Sequence, residues 1–226
     1  MAVDAAMLFL SHSYLKGRPL TKTINNLPLY GNDDVDIIDK KPLYTGFFKM
    51  EEQQLRHRLF EGGWSPVITR EIFLRGDAVA AVMYDPLHRL IGLVEQFRIG
   101  ALSNKTGPWL IEVVAGMIDK DETPRQVIRR ELVEEAGLET DDIRFICDYF
   151  SSPGGTTEKL SLYCALGDLT AIGGTHGLEE EGEDIRVCVF PEEEAFNHLY
   201  DGRFNNAATL ICLQWLLINH STLNPG

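Results

Sequence analysis

A short helix with clear start and stop signals follows an apolar strand near the middle of the chain. The strand is contained in "PWLIEVVAG", which ends at Gly116. Thr123 and Gln126 form a T-x-x-Q capping box, and Pro124 occupies the first helical position. Gly137 suits the left-handed residue that closes a helix. The residues that would pack this helix on a sheet recur every four positions: Ile128, Leu132 and Ala136.

The same helix carries three glutamates close together, which solubility alone does not require. Glu131, Glu134 and Glu135 lie toward its C-terminal half, where neighbouring like charges repel and the helix dipole disfavours them. Glu131 and Glu135 are one turn apart, so both can bind one hard cation such as Mg²⁺ or Mn²⁺. Arg130 can pair with Glu134, and Gly116 allows backbone carbonyls to approach a metal. This pattern favours metal-assisted attack on a phosphate ester or anhydride, with a solvated acidic face as the alternative.

The segments around this helix predict a mixed sheet with helices on the outside, which is an α/β or α+β fold. β-rich runs occur at "VITREIFLRG", "AVAAVMYDP", "RLIGLVEQFRIG", "IRFICDYF" and "IRVCVF", and further helices are predicted from about Glu192 and in "NNAATLICLQWLLINH". Residues 1–65 have a different sequence pattern, which predicts two or three short strands interrupted by Pro42 and Gly46. We therefore predict an N-terminal β-rich domain (1–65) and a larger domain (66–226).

Charge and cysteine use narrow the possible partners and the compartment. The net charge of −13 disfavours unassisted binding to nucleic acid or to an anionic membrane, but it allows an anionic substrate whose contact is mediated by metal ions. The first residues contain neither a basic segment nor an apolar run of signal-peptide length. The four cysteines form no CxxC pair, which favours reduced core thiols. These features predict a cytoplasmic protein.

Residues 116–138 match the pattern G-x5-E-x7-R-E-U-x-E-E-x-G-U of the Nudix box, in which U is a bulky aliphatic residue. The fixed or restricted positions are Gly116, Glu122, Arg130, Glu131, Leu132, Glu134, Glu135, Gly137 and Leu138. The chain thus resembles the Nudix hydrolases, and Pro153, 15 residues after Leu138, resembles their ADP-ribose pyrophosphatase branch. The similarity extends over about residues 44–220. It implies an α+β fold, the α/β/α Nudix sandwich, with a mixed central sheet and a small N-terminal β-rich domain.

The resemblance also implies roles for particular residues. The metal ligands would be the carbonyl of Ala115 and three carboxylates: Glu131, Glu135 and Glu183. In the acidic loop "LEEEGEDIRV", Glu181 aligns with the proposed general base of the family. Arg130 and Glu134 would support the catalytic centre as a pair. A solvated surface loop remains the alternative for residues 179–184.

For the substrate, the resemblance assigns Arg98 to the diphosphate and Pro153 to the substrate-selective loop. Arg70 and Phe47 would stack on the two faces of the adenine, with Phe47 supplied by the partner subunit of a homodimer whose N-terminal strands are swapped. A charge at a strand edge is the alternative for Arg70, and a core residue is the alternative for Phe47.

The resemblance therefore predicts an ADP-ribose diphosphatase that produces AMP and ribose 5-phosphate with Mg²⁺, or with Mn²⁺ as a possible substitute. One alternative is hydrolysis of another nucleoside diphosphate sugar, such as GDP-mannose. A second is a non-catalytic Nudix-fold sensor of ADP-ribose that controls DNA. The intact box, the acidic charge and the lack of an added helix-turn-helix region weigh against the sensor.

Overall fold

The structure is a computed structural model that describes residues 29–119 and 121–223, except for the side chain of Glu181. It contains eleven strands and three α-helices within these residues: β1 (Val35–Thr45), β2 (Lys49–His57), β3 (Ile68–Leu74), β4 (Ala78–Asp85), β5 (Leu90–Phe97), β6 (Trp109–Glu112), β7 (Val114–Met117), α1 (Pro124–Ala136), β8 (Ile143–Phe150), β9 (Lys159–Leu166), β10 (Thr175–His176), β11 (Ile185–Pro191), α2 (Glu192–Asn197) and α3 (Ala207–Leu223). None of the described helices has the length and apolarity needed to cross a membrane.

The larger sheet is mixed and has the strand order β10-β11-β5-β4-β9-β8, while β6 pairs with β5 and β7 with β4. The pair β4–β9 is parallel and the other pairs are antiparallel. All eight residues of β4 are buried, and the six from Val79 to Tyr84 alternate between two cores. Val79 and Ala81 face α1, whereas Ala80 and Val82 face α3. Helices on both faces of a mixed sheet confirm the predicted α+β fold.

The predicted capping of α1 is present in full. The amide N–H of Gln126 donates to Oγ1 of Thr123, and the N–H of Thr123 donates to Oε1 of Gln126. Gly137 ends the helix at φ 67°, a conformation that glycine adopts without a steric penalty. The N–H of Leu138 then donates to the carbonyl of Leu132, 2.9 Å away, which satisfies one of the last helical acceptors.

The stretch "PWLIEVVAG" forms two strands where the sequence predicted one. Glu112, the last residue of β6, lies opposite Val94 of β5, while Val114, the first residue of β7, lies opposite Ala81 of β4. The chain changes its neighbour at Val113. The N–H of Val113 donates instead to Oγ1 of Thr209 in α3, at 3.1 Å. A contact so distant in sequence could not be predicted from local pattern.

The N-terminal part forms a separate three-stranded antiparallel sheet in the order β1-β2-β3. Pro42 lies within β1, where the register shifts, so it bends a continuous strand that was predicted to break. The third strand lies beyond residue 65, and the division of the chain at that residue stays a prediction. The prediction for residues 1–28 lies outside the described residues.

The turn between β4 and β5, predicted at "DP", is organised by the buried carboxylate of Asp85. Oδ1 accepts the N–H groups of Leu87 and His88, and Oδ2 accepts the N–H of Leu169, each at 3.0 Å. Nδ1 of His88 lies 2.8 Å from Oδ2. Burial raises the pKa of Asp85, but these hydrogen bonds outweigh it and hold the pKa below its ordinary value. The carboxylate therefore contributes to stability when it is ionised.

We expect Asp85→Asn to lower the free energy of unfolding by about 2 kcal/mol, because an amide nitrogen would face a buried N–H donor. The matched control is Asp77→Asn just before β4, where the side chain is exposed and the change should stay within about 0.5 kcal/mol. Urea denaturation of both variants measures the difference. Equal effects would show that the hydrogen bonds of Asp85 do not stabilise this turn.

Candidate active site

The acidic face of α1 packs against the end of β7. The N–H of Ala115 donates to Oε2 of Glu135 at 3.1 Å, and Glu135 is only 3% exposed. Beside it, the carboxylate of Glu131 lies directly over Gly116. A Cβ on that glycine would lie 2.0 Å from Oε1 of Glu131, so any other residue would displace the carboxylate. The structure thus brings together the predicted ligands from α1 and β7.

Arg130 connects the charged residues of the box. Its Nη1 donates to Oε1 of Glu131 and to Oε2 of Glu134, both at 2.9 Å, and its Nη2 lies 3.3 Å from Oε2 of Glu122. Burial acts to lower the pKa of Arg130, but its three carboxylate partners outweigh it and raise that pKa. The pairing of Arg130 with Glu134 expected from the sequence is therefore present. Arg130 holds the side chains of the box in fixed positions.

Two carboxyl groups of this cluster are costly to ionise. The pKa of Glu131 is raised to about 7 and that of Glu135 to about 8, and burial is the largest cause of both shifts. The negative charge of Glu183 pushes both values further up, whereas Arg130 lowers that of Glu131. Largely buried carboxylates that repel one another form the ligand set that a hard divalent cation prefers. The residues therefore fit the metal that the sequence predicts.

The acidic loop lies across the C-terminal half of α1. The N–H of Gly177 donates to the carbonyl of Glu134 at 3.2 Å, which fixes the start of the loop on the helix. Oε2 of Glu183 accepts the N–H of Leu178 at 3.0 Å, so this carboxylate is held beside the cluster. The backbone of Glu181 ends a short 3-10 helix, Glu179–Glu181. The side chain of Glu181 lies outside the described part of the structure, and its role as base stays a prediction.

Arg98 lies close to the cluster, at the end of β5. Its Nε donates to Oε2 of Glu112 at 2.7 Å, and its positive charge lowers the pKa of Glu135, against the larger effect of burial. Glu112 and its second partner, Asn206, were not predicted as site residues. Glu112 is the one charged residue in "PWLIEVVAG", and that isolation in an apolar strand is the signal that could have revealed it.

The two predicted adenine-binding residues lie in different parts of the N-terminal sheet. Phe47 lies in the turn between β1 and β2 and is 85% exposed. Arg70 is exposed on β3, opposite Gln53 of β2. Four strand positions, roughly 13 Å, separate Gln53 from Lys49 at the start of β2. The two residues thus lie apart along the sheet, and an adenine site that takes Phe47 from a second chain stays a prediction.

Pro153 lies in the exposed loop between β8 and β9, and this loop is attached to the N-terminal sheet. The N–H of Phe73 in β3 donates to the carbonyl of Gly155, and the N–H of Thr157 donates to the carbonyl of Phe73, at 2.9 and 3.1 Å. Arg75 also forms an ion pair with Glu158, at 2.8 Å. The loop therefore connects the two sheets, and its role in substrate selection stays a prediction.

A second group of potential metal ligands lies at the turn between β4 and β5. The ligand atoms of Asp85, His88 and Asp168 lie within 4.8 Å of one another, a spacing that could hold a metal ion. Both oxygens of Asp85 already accept hydrogen bonds from the turn and from Leu169. These three residues therefore have a structural role at the turn that requires no metal.

Comparison with known proteins agrees with the site geometry. The family model for the NUDIX domain matches residues 74–211. The ADP-ribose pyrophosphatase of Escherichia coli (strain K12) is 44% identical over 200 residues, which cover 88% of this chain and 96% of that protein. The ADP-ribose pyrophosphatase of Haemophilus influenzae is 38% identical over 208 residues, covering 91% and 96% of the two chains.

More distant relatives share the architecture. The GDP-mannose pyrophosphatase of Pectobacterium atrosepticum is 33% identical over 186 residues, covering 81% of this chain and 94% of that protein. A solved structure, described as a crystal structure of an ADP compounds hydrolase, superposes with a TM-score of 0.62 at 18% identity, over 84% of this chain and 96% of the other. That likeness concerns the fold alone. With the box geometry, the domain match and these relatives together, the chain belongs to the NUDIX family.

Proposed function

We propose that this protein hydrolyses the diphosphate of ADP-ribose to AMP and ribose 5-phosphate with the help of Mg²⁺, or of Mn²⁺ in its place. The observation that carries the proposal is the convergence of Glu131, Glu135 and Glu183 beside Gly116. Relatives named ADP-ribose pyrophosphatase, at 38–44% identity over most of the chain, support this choice of substrate.

The metal would be held by the carboxylates of Glu131, Glu135 and Glu183 and by the carbonyl of Ala115. A divalent cation there supplies positive charge to the diphosphate and activates water for attack on phosphorus. Arg130 keeps the carboxylates in place through the hydrogen bonds described above. Glu181 would accept the proton of the attacking water, as a general base within reach of the reacting atoms.

Arg98 would bind the diphosphate, because a guanidinium group can pair with two phosphate oxygens at once. Its proximity to Glu135 supports this role. GDP-mannose is the second candidate substrate, since relatives named for its hydrolysis are 32–33% identical. An assay of AMP or GMP release from ADP-ribose, GDP-mannose and related nucleotide sugars, with Mg²⁺, separates the two. Faster turnover of GDP-mannose would overturn the proposed substrate.

The proposed active unit is a homodimer that shares its adenine site. The N-terminal sheet leaves several large apolar side chains at least half exposed: Ile37, Ile38, Tyr44, Phe47 and Phe60. Exposed apolar side chains of this size favour association with another chain. Together with the separation of Phe47 from Arg70, this exposure supports the exchange of N-terminal strands between subunits. We also infer a cytoplasmic location, which the four free cysteines support.

We expect Glu135→Gln to lower kcat at least about a hundredfold, on the order of 3 kcal/mol in barrier, because an amide cannot supply an anionic metal ligand. Steady-state kinetics at saturating Mg²⁺ measures the loss. Glu134→Gln is the control on the same helix, and it should lose less because Glu134 serves to hold Arg130. Wild-type kinetics for Glu135→Gln would remove this residue from the metal site.

The same substitution should stabilise the metal-free protein at neutral pH. The pKa of Glu135 rises from 4.5 to about 8 on folding, so ionisation of this carboxyl costs stability progressively as pH increases between these values. Glutamine removes that cost. Thermal melts in EDTA should show a smaller loss of stability between pH 5 and pH 8 for the variant. Added Mg²⁺ should raise the melting temperature of the wild type and leave that of the variant unchanged. A similar Mg²⁺ response in both would contradict the assignment.

We expect substitutions of Glu181 and of Glu183 to change the Mg²⁺ dependence of the rate in different ways. Glu181→Gln should reduce kcat by roughly 10²–10⁴-fold at every Mg²⁺ concentration, with near-normal binding of ADP-ribose, because only proton transfer is lost. Glu183→Gln should shift the Mg²⁺ dependence to higher concentration and recover in part with excess metal. If Glu181→Gln is the variant that excess metal rescues, the two roles must be exchanged.

A shared adenine site predicts that two defective homodimers complement each other. Mixing Glu135→Gln with Phe47→Ala after subunit exchange should restore one intact site in each mixed dimer, about a quarter of wild-type sites at equal mixing. The rate at low ADP-ribose concentration measures the recovery. The control mixes Phe47→Ala with the double variant Glu135→Gln/Phe47→Ala, in which every site lacks the aromatic ring. Equal rates in both mixtures would refute the sharing of Phe47.

A further inference from the structure

Glu112 is a buried carboxylate outside the Nudix box, and both of its oxygens are engaged. It is 4% exposed, its Oε2 accepts the Nε–H of Arg98 at 2.7 Å, and its Oε1 accepts Nδ2 of Asn206 at 2.8 Å. A carboxylate buried at the end of a strand needs such donors, because desolvation is expensive. The side chains of Arg98 and Asn206 are therefore fixed relative to each other through Glu112.

Asn206 is in turn fixed by the first turn of α3. Its Oδ1 accepts the N–H of Thr209 at 3.2 Å, and its carbonyl accepts the N–H of Leu210 at 3.0 Å. This is the geometry of an N-cap residue. The amide oxygen caps the helix while the amide nitrogen donates to Glu112, so Asn206 links α3 to β6. The hydroxyl of Thr209, which accepts the N–H of Val113, gives the same junction a second attachment.

This chain of contacts leaves the end of the Arg98 side chain free for a ligand. Among the described residues, Glu112 is the only hydrogen-bond partner of the Arg98 side chain, and it uses Nε. The two terminal nitrogens remain. Glu112, which holds Arg98, lies three residues before Ala115, whose N–H holds Glu135 of the carboxylate cluster. A guanidinium held through Nε presents its planar fork in one orientation, which suits two oxygens of a phosphate.

We propose that Glu112 and Asn206 are positioning residues that hold Arg98 against the diphosphate of the substrate. The N-terminus of α3 thereby fixes the orientation of the Arg98 side chain, which lies more than 100 positions earlier in the sequence. This inference rests on the proposed function, in which Arg98 binds the diphosphate. It assigns the two residues no contact with the substrate itself.

Glu112→Gln should change KM in opposite directions, depending on whether Glu112 acts only through its charge or by positioning Arg98. The substitution removes a negative charge next to an anion-binding arginine, so electrostatic attraction alone would lower KM. Positioning predicts a higher KM, because glutamine offers one acceptor to two donors: either Arg98 or Asn206 loses its hydrogen bond, and Arg98 is no longer fixed to Asn206. A lower KM for Glu112→Gln would overturn the proposal.

Asn206→Asp tests the link without removing the helix cap. Aspartate caps a helix as well as asparagine does, but its second oxygen would face the carboxylate of Glu112 and repel it. We expect KM for ADP-ribose to rise about tenfold; the repulsion also lowers the melting temperature, so the variant and the wild type are assayed well below it. The matched control is Asn205→Asp, which adds the same charge one residue earlier on an exposed side chain and should stay within about twofold.

A double-mutant cycle with Arg98→Lys completes the test. Lysine keeps the positive charge but lacks the fork, so a general charge effect of Asn206→Asp would persist in the Arg98→Lys background. If Asn206 acts by positioning Arg98, Asn206→Asp should change KM by less than about twofold in the Arg98→Lys background. An unchanged tenfold effect, or equal KM values for Asn206→Asp and Asn205→Asp in the Arg98 protein, would overturn the proposal.

The assay distinguishes this proposal from the proposed function. It uses ADP-ribose first, and GDP-mannose if the wild type hydrolyses only that substrate. Activity on GDP-mannose alone would overturn the proposed substrate and still allow the cycle to be measured, since both molecules contain a diphosphate. Wild-type kcat/KM for Arg98→Lys would show that the guanidinium fork does not bind the diphosphate, and it would overturn the positioning of Arg98 with it.

Discussion

The burial of carboxylates at the contact of α1 with β7, together with their mutual repulsion, is the constraint on which the other features of the site depend. Glu131 and Glu135 are held in surroundings that raise the pKa of both, and Glu183 adds a third negative charge. Such an arrangement lowers stability unless a cation is bound. These carboxylates are held close together by three features: the capped helix, the glycine at position 116 and the N–H of Ala115.

The parts of this arrangement that were predicted from sequence are those whose partners are close along the chain. The cap of α1, its end at Gly137 and the pair Arg130–Glu134 each depend on residues within four positions of one another. Local geometry fixes such contacts, so their spacing alone is informative. The fold class followed from the alternation of strands with helices for the same reason.

The parts that were missed depend on contacts between distant segments. Glu112 and Asn206 are 94 positions apart, and nothing in the local pattern of either marks them as neighbours. The break at Val113 likewise depends on Thr209, 96 positions later. Periodicity indicates which residues are buried, but it does not indicate which distant residue satisfies a buried donor or carboxylate.

The change of strand partner at Val113 explains how one short segment serves two parts of the site. Because β6 pairs with β5, Glu112 lies beside Arg98; because β7 pairs with β4, Ala115 lies beneath Glu135. The carboxylate cluster and Arg98, the residue proposed to bind the diphosphate, are thus positioned by one segment, whereas the residues proposed to bind adenine lie in or beside the N-terminal sheet. Relatives named for ADP-ribose and for GDP-mannose share this family, and the two substrates share a diphosphate and differ in base and sugar. In the proposed dimer, in which a second subunit completes the adenine site, the base-binding residues could change without disturbing the carboxylate cluster.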